Sequence, residues 1–128
     1  MPDRQHNPVH WFEIPVTDME RAMKFYKQVL GYSFERKKMD DMEIAFFPSK
    51  MEAWGCGGML VRHKKSQPSS TGTLIYFASP SGDLENELKK VEKAGGKICL
   101  PKTSIKEYGF MGIFADTEGN SLGLQSMK

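Results

Sequence analysis

The sequence predicts an α+β domain made of two βαβββ modules, and three observations predict it. Strand-like and helix-like patterns follow one another as strand, helix, strand, strand, strand, and then the order repeats. The two helical segments share a frame: Asp18 stands 13 residues before Gly31, and Asp83 stands 13 before Gly96. The chain has 128 residues, a length that favours one domain.

Each element has its own local reason. Residues 9–16 alternate as a strand. Thr17 is placed to cap the following helix, with Glu20 completing a capping box. Met19, Ala22, Met23, Tyr26, Val29 and Leu30 recur at the spacing of one buried helical face. Gly31 suits the left-handed residue that ends a helix. Residues 33–37, 43–47 and 58–62 read as three strands, and the last two are separated by "PSKMEAWGCGG". Proline and glycine make that stretch a loop, while Met51 and Trp54 give it the character of a flap over a cavity.

A polar connector follows, and then residues 73–78 read as a strand and "SPSGD" as a turn. Leu84, Leu88, Val91 and Ala94 mark the second helix, closed by Gly95 and Gly96. Strands are predicted over 97–100, 109–115 and 121–125, the last two joined by "DTEGN" as a hairpin. Each module supplies one helix for one face of a four-stranded sheet. Two such sheets, from one chain or from two, are expected to form a cupped eight-stranded mixed sheet with a pocket inside and helices outside. The boundaries are about 8–63 for module one, 64–72 for the connector and 73–126 for module two.

Composition narrows the function. Charged residues make up 27% of the chain and the net charge is +2, too balanced for a nucleic-acid footprint. The basic cluster Arg62-His63-Lys64-Lys65 reads as a solvated connector. No apolar run is long enough to span a membrane. "MPDRQHNP" has no signal-peptide core, and Cys56 and Cys99 form no CxxC pattern. A cytoplasmic chain with free thiols is expected.

Three stretches resemble the vicinal oxygen chelate superfamily, which includes glyoxalase I, bleomycin-resistance proteins and extradiol dioxygenases. They are "IPVTDMERAMKFYKQVLGY" (14–32), "DLENELKKVEKAGGKI" (83–98) and "GIFADTEGNSLGLQ" (112–125). Asp18, Phe25, Tyr26, Leu30 and Gly31 match the opening motif, and the final hairpin matches "DPEGN" with Thr117 in place of proline. The resemblance implies a short, single glyoxalase-like domain spanning residues 1–128. In metal-dependent relatives it also implies a divalent ion held by four side chains, from the first and last strand of each module.

Those four places are unsuited to an ion here. Alternation along residues 9–16 puts His10, Phe12, Ile14 and Val16 on the helix side and Trp11 and Glu13 on the pocket side. The family places fall on Trp11, near Met59, on Thr73 or Ile75, and on Gly123. These side chains lack the donors a divalent ion requires. His6 lies in the tail and His63 at the connector. No metal and no other cofactor are expected.

Glu13, beside Trp11, is the candidate catalytic residue, as a general base or as a partner for a cationic ligand. Trp11, Phe47, Trp54, Met59 and Phe110 are candidate apolar lining, Gly123 leaves room, and Gln125 can hydrogen-bond a ligand. Lys102 is a candidate charge at the rim. The reading is a glyoxalase-like protein that binds a small organic molecule in a metal-free apolar pocket, with proton transfer through Glu13 if it is a lyase or isomerase. The alternatives are a metal-dependent lactoylglutathione-lyase-type isomerase and a non-catalytic regulatory or partner-binding module. A homodimer is expected, with neither nucleic acid nor membrane as partner.

Overall fold

The computed structural model describes residues 7–128; His6 lies outside them. The described chain runs β1 (Phe12–Pro15), α1 (Met19–Leu30), β2 (Glu35–Met39), β3 (Met42–Phe46) and β4 (Gly58–Arg62). Module two follows as β5 (Ile75–Ala78), α2 (Leu84–Val91), β6 (Lys97–Ser104), β7 (Phe110–Ala115) and β8 (Ser121–Ser126). This is the βαβββ order twice. A short 3₁₀ turn at Lys106–Tyr108, not foreseen in the sequence, joins β6 to β7. Both cysteines are free and exposed. No helix among the described residues is long and apolar enough to cross a membrane.

The eight strands form two sheets of four rather than one continuous hydrogen-bonded sheet. Sheet one has the order β1-β4-β3-β2 and sheet two β5-β8-β7-β6. In each, the first strand lies parallel to the last and the other pairs are antiparallel. The modules join on their helix sides. Phe12 meets Phe77 at 5.9 Å, Tyr26 meets Phe77 at 6.0 Å and Phe25 meets Phe114 at 5.9 Å between ring centroids. One apolar core therefore runs through both modules, from Ile14 and Leu60 to Leu88 and Leu124.

Helix α1 starts one residue later than the sequence suggests. Asp18, not Thr17, is its N-cap and accepts from the Arg21 N–H at 3.1 Å. Thr17 instead gives both its N–H and its hydroxyl to Glu118. Asp83 caps α2 in the same way, so the shared frame of the two helices begins at equivalent caps. Gly31 ends α1 at φ 80°, as its place predicts.

The loop after β7 fastens the modules together. Glu118 accepts the N–H groups of Thr17 and Asp18, both at 2.8 Å, and pairs with Arg21 Nε at 2.7 Å. Asp116 accepts the buried Tyr26 hydroxyl at 2.7 Å and the N–H groups of Glu118 and Asn120. Asn120 donates to the Pro15 carbonyl at 2.7 Å. "DTEGN" is thus a hairpin whose polar side chains occupy the open N-terminus of α1. Burial alone would raise the Glu118 pKa, but the bonds from Arg21, Asp18 and Thr17 outweigh it and hold the carboxyl down at about 2. Burial first, and then Asp116, push the Tyr26 hydroxyl well above its ordinary range.

Candidate functional site

The candidate residues divide by the face of the sheet that carries them. In β1, Ile14 and the following Val16 are buried in the helix-side core, while Trp11 and Glu13 are exposed on the other side. His10 is a correction. It precedes β1 and is exposed instead of being tucked beneath a helix, because the regular strand begins only at Phe12.

Register then builds one row across sheet one. Glu13 pairs with Met59, Met59 with Phe46, and Phe46 with Glu35. Same-row neighbours project to the same face, so two carboxylates flank a thioether and a phenyl ring. Trp11 packs edge-on to Phe46 with centroids 6.1 Å apart. At its Glu35 end the row opens into a groove of about 490 Å³ lined by Trp11, Ser33, Phe34, Glu35, Phe46 and Phe47, and by Pro48 and Ser49 at the start of the loop. A Cβ added at Gly57 would meet both Ser49 and Trp11. The two ends of the loop therefore converge beside the indole.

Phe47 serves both the groove and the core, and four other candidates, Trp54, Phe110, Lys102 and Gln125, are placed elsewhere. Phe47 is only 6% exposed and anchors an aromatic cluster with Phe12, Tyr26, Phe34 and Phe77, so it backs the groove from the core. Trp54 is 99% exposed at the loop and is not among the residues lining the groove beside Trp11. Phe110 packs on the helix side, sharing strand parity with Gly112, whose Cβ would meet Leu84 and Leu88 of α2. Its ring also receives Lys102 Nζ at 4.6 Å, and Lys102 pairs with the α2 cap Asp83 at 2.9 Å instead of standing at a pocket rim. Gln125 donates its amide to the Tyr108 carbonyl at 2.8 Å, so that donor is already engaged.

Gly123 shares a cross-strand pair with Tyr76, and a Cβ there would fall 2.4 Å from the Tyr76 ring. The space its missing side chain leaves is therefore filled by a tyrosine. Tyr76 escaped the sequence reading because the turn before α2 is longer than the turn before α1. Glu13 pairs with Met59 as Tyr76 pairs with Gly123, so the counterpart of Trp11 is Leu74. Ile75 packs into the helix-side core and is excluded from that face. His63 is half-buried, with Nε2 3.3 Å from Asp41, rather than free in solvent.

The strand places that the resemblance implies for ligands, followed through the observed register, carry Trp11, Met59, Leu74 and Gly123. One thioether and no carboxylate or imidazole is a donor set that does not fit a divalent ion. Among the described residues, no other group of three His, Cys, Asp or Glu side chains comes together to hold one.

Paired βαβββ modules with these strand places define a protein of the vicinal oxygen chelate class. Residues 9–48 match the family described as bleomycin resistance protein-like N-terminal. A glyoxylase-like domain-containing protein from Didymella fabae is 30% identical over 123 residues, covering 91% of each chain. The chain belongs to this glyoxalase-like family. Solved structures share the fold at lower identity. A mutant of glyoxalase I from Zea mays superposes with a TM-score of 0.73 at 21% identity over 94% of this chain and 47% of its own, so the chain spans about half of that enzyme. A glyoxylase/bleomycin resistance protein/dioxygenase domain from a Frankia species gives 0.71 at 17% identity, covering 100% of this chain and 99% of its own. The trypanothione-dependent glyoxalase I of Leishmania major gives 0.71 at 19%, covering 94% and 87%.

Proposed function

We propose that this chain is a glyoxalase-like small-molecule-binding protein of the cytoplasm whose site needs no metal ion at the family's strand places. The observation that carries this reading is the set Trp11, Met59, Leu74 and Gly123, which exchanges ion donors for apolar surface. The site is centred on Trp11, Phe46 and Met59, with Glu13 beside them in the same row. Glu13 is exposed in the single chain. A second copy of the chain, laying its sheet two on this face, would enclose the carboxylate and complete a pocket. Enclosed in that way, Glu13 would serve as the base for a proton transfer or as the counter-charge to a ligand.

The test uses the neutral fluorophore N-phenyl-1-naphthylamine with the full chain. Saturable binding that survives EDTA and is weakened by Trp11→Ala supports the reading. Binding abolished by EDTA, or unchanged in Trp11→Ala, contradicts it. Sedimentation at rising concentration tests the dimer, with a monomer at every concentration as the contrary result. For any substrate then identified, unchanged turnover in Glu13→Gln removes the catalytic role.

A further inference from the structure

We infer that the groove beside Trp11 selects an apolar organic cation, such as a quaternary ammonium or arylphosphonium group. This deepens the proposed small-molecule site and rests on it. The groove has two aromatic pairs in its wall. Trp11 lies edge-on to Phe46 at 6.1 Å, and Phe34 lies against Phe47 at 4.7 Å. Aromatic faces carry negative potential, and several of them around one space form the cage that takes up a bulky cation.

The charge at the site has the matching sign. Glu35 is the charged residue among those that line the groove. Glu13 stands at the other end of the same cross-sheet row, three strand spacings or about 14 Å away. Neither carboxylate makes an ion pair or a side-chain hydrogen bond among the described residues. The acidic side chains elsewhere on sheet one and α1 are occupied: Glu43 and Glu20 hold Arg36, and Glu43 also holds Arg62. Four basic residues are near in sequence, Arg36, Lys37 and Lys38 after Glu35 and Lys50 after Ser49; none lines the groove, and Arg36 is held by Glu20 and Glu43. The chain as a whole carries a net charge of +2. Its overall field therefore favours anions, and a preference for a cation has to come from this local arrangement.

Tetraphenylphosphonium and tetraphenylborate, matched in size and apolarity and opposite in charge, test the inference by calorimetry on the full chain at low salt. The expected result is phosphonium binding about ten-fold tighter than borate, a preference of the size that exposed cation–π and ion contacts confer. Glu35→Gln is expected to reduce phosphonium affinity about three-fold and leave borate affinity unchanged or improved. Trp11→Leu, which keeps the apolar surface and removes the ring, is expected to reduce the preference further. Equal affinity for the two ions, or tighter borate binding, overturns the cation inference and leaves the apolar site standing. Binding of neither ion overturns the cation inference as well, and absence of N-phenyl-1-naphthylamine binding in addition overturns the apolar site. Glu35→Gln with unchanged phosphonium affinity removes the carboxylate's part and refutes the inference as stated.

Discussion

Replacing Glu118 with glutamine removes a charge that holds the two modules together, and the structure sets both the size of the effect and its pH dependence. The carboxylate has no exposed side-chain surface, and Arg21, its charged partner, is half exposed. Oε1 accepts from the Thr17 N–H, the Thr17 hydroxyl, the Asp18 N–H and Arg21 Nη2, and Oε2 accepts from Arg21 Nε. Glutamine keeps one acceptor oxygen, but its NH₂ cannot accept from Arg21 and would face another donor. The fall in pKa from 4.5 to about 2 would correspond to about 3 kcal/mol at ~1.4 kcal/mol per pKa unit. Solvent screening at the half-exposed guanidinium reduces this to about 2 kcal/mol.

Because the folded pKa lies below the unfolded one, this stability is fully present above pH 4.5 and is lost as pH falls towards 2. Urea unfolding of both proteins at several pH values measures it. The expected gap between wild type and Glu118→Gln is about 2 kcal/mol near neutrality, narrowing below pH 4.5 and nearly closed near pH 2. A gap that is constant with pH, or below about 0.5 kcal/mol at neutrality, would refute the role of ionised Glu118 as the acceptor for Thr17, Asp18 and Arg21 at the start of α1.

Three further outcomes are expected. Tyr26→Phe leaves buried Asp116 without one of its donors and should destabilise by about 1–3 kcal/mol in the same assay; a neutral result would show that the bond contributes nothing. Phe47→Ala should cost about 3–5 kcal/mol as a core truncation, whereas Trp54→Ala should stay within about 0.5 kcal/mol, and the reverse order would contradict their placement. Gly123→Glu places one acidic side chain at a strand place and displaces the Tyr76 ring. It should still bind no zinc by calorimetry, because Trp11, Met59 and Leu74 remain; a stoichiometric zinc site in that variant would refute the donor argument.

What the sequence made legible follows from the range of the interactions concerned. The alternation of Trp11, Glu13 and Ile14 and the spacing of Ala22, Tyr26 and Val29 are local, and burial follows both patterns. The helix frame was legible for the same reason, since Asp18 and Asp83 act on N–H groups two or three residues away. Glu118 was not legible, because its partners lie about 100 residues back along the chain. Thr17 looked like a cap until that distant carboxylate claimed it. Phe110 looked like pocket lining because strand aromatics carry no mark of the face they will take, whereas Phe47 lines the groove and packs into the core at once. Phe47 follows the last residue of β3 and turns into the core, and a bulged β6–β7 pairing flanks Phe110. Tyr76 was displaced in the count by the longer turn before α2. Glu35 was missed as a site residue because its strand is exposed and charged throughout, and only the register with Phe46 brings it to the groove.

The most direct measurement is the stoichiometry of divalent ions bound to the purified full chain, by elemental analysis after incubation with zinc and nickel and exhaustive dialysis. An apolar site at Trp11, Met59, Leu74 and Gly123 predicts far less than one ion per chain, with N-phenyl-1-naphthylamine still binding the dialysed protein. One tightly held ion per chain, lost when Glu13 or His10 is replaced, would contradict it.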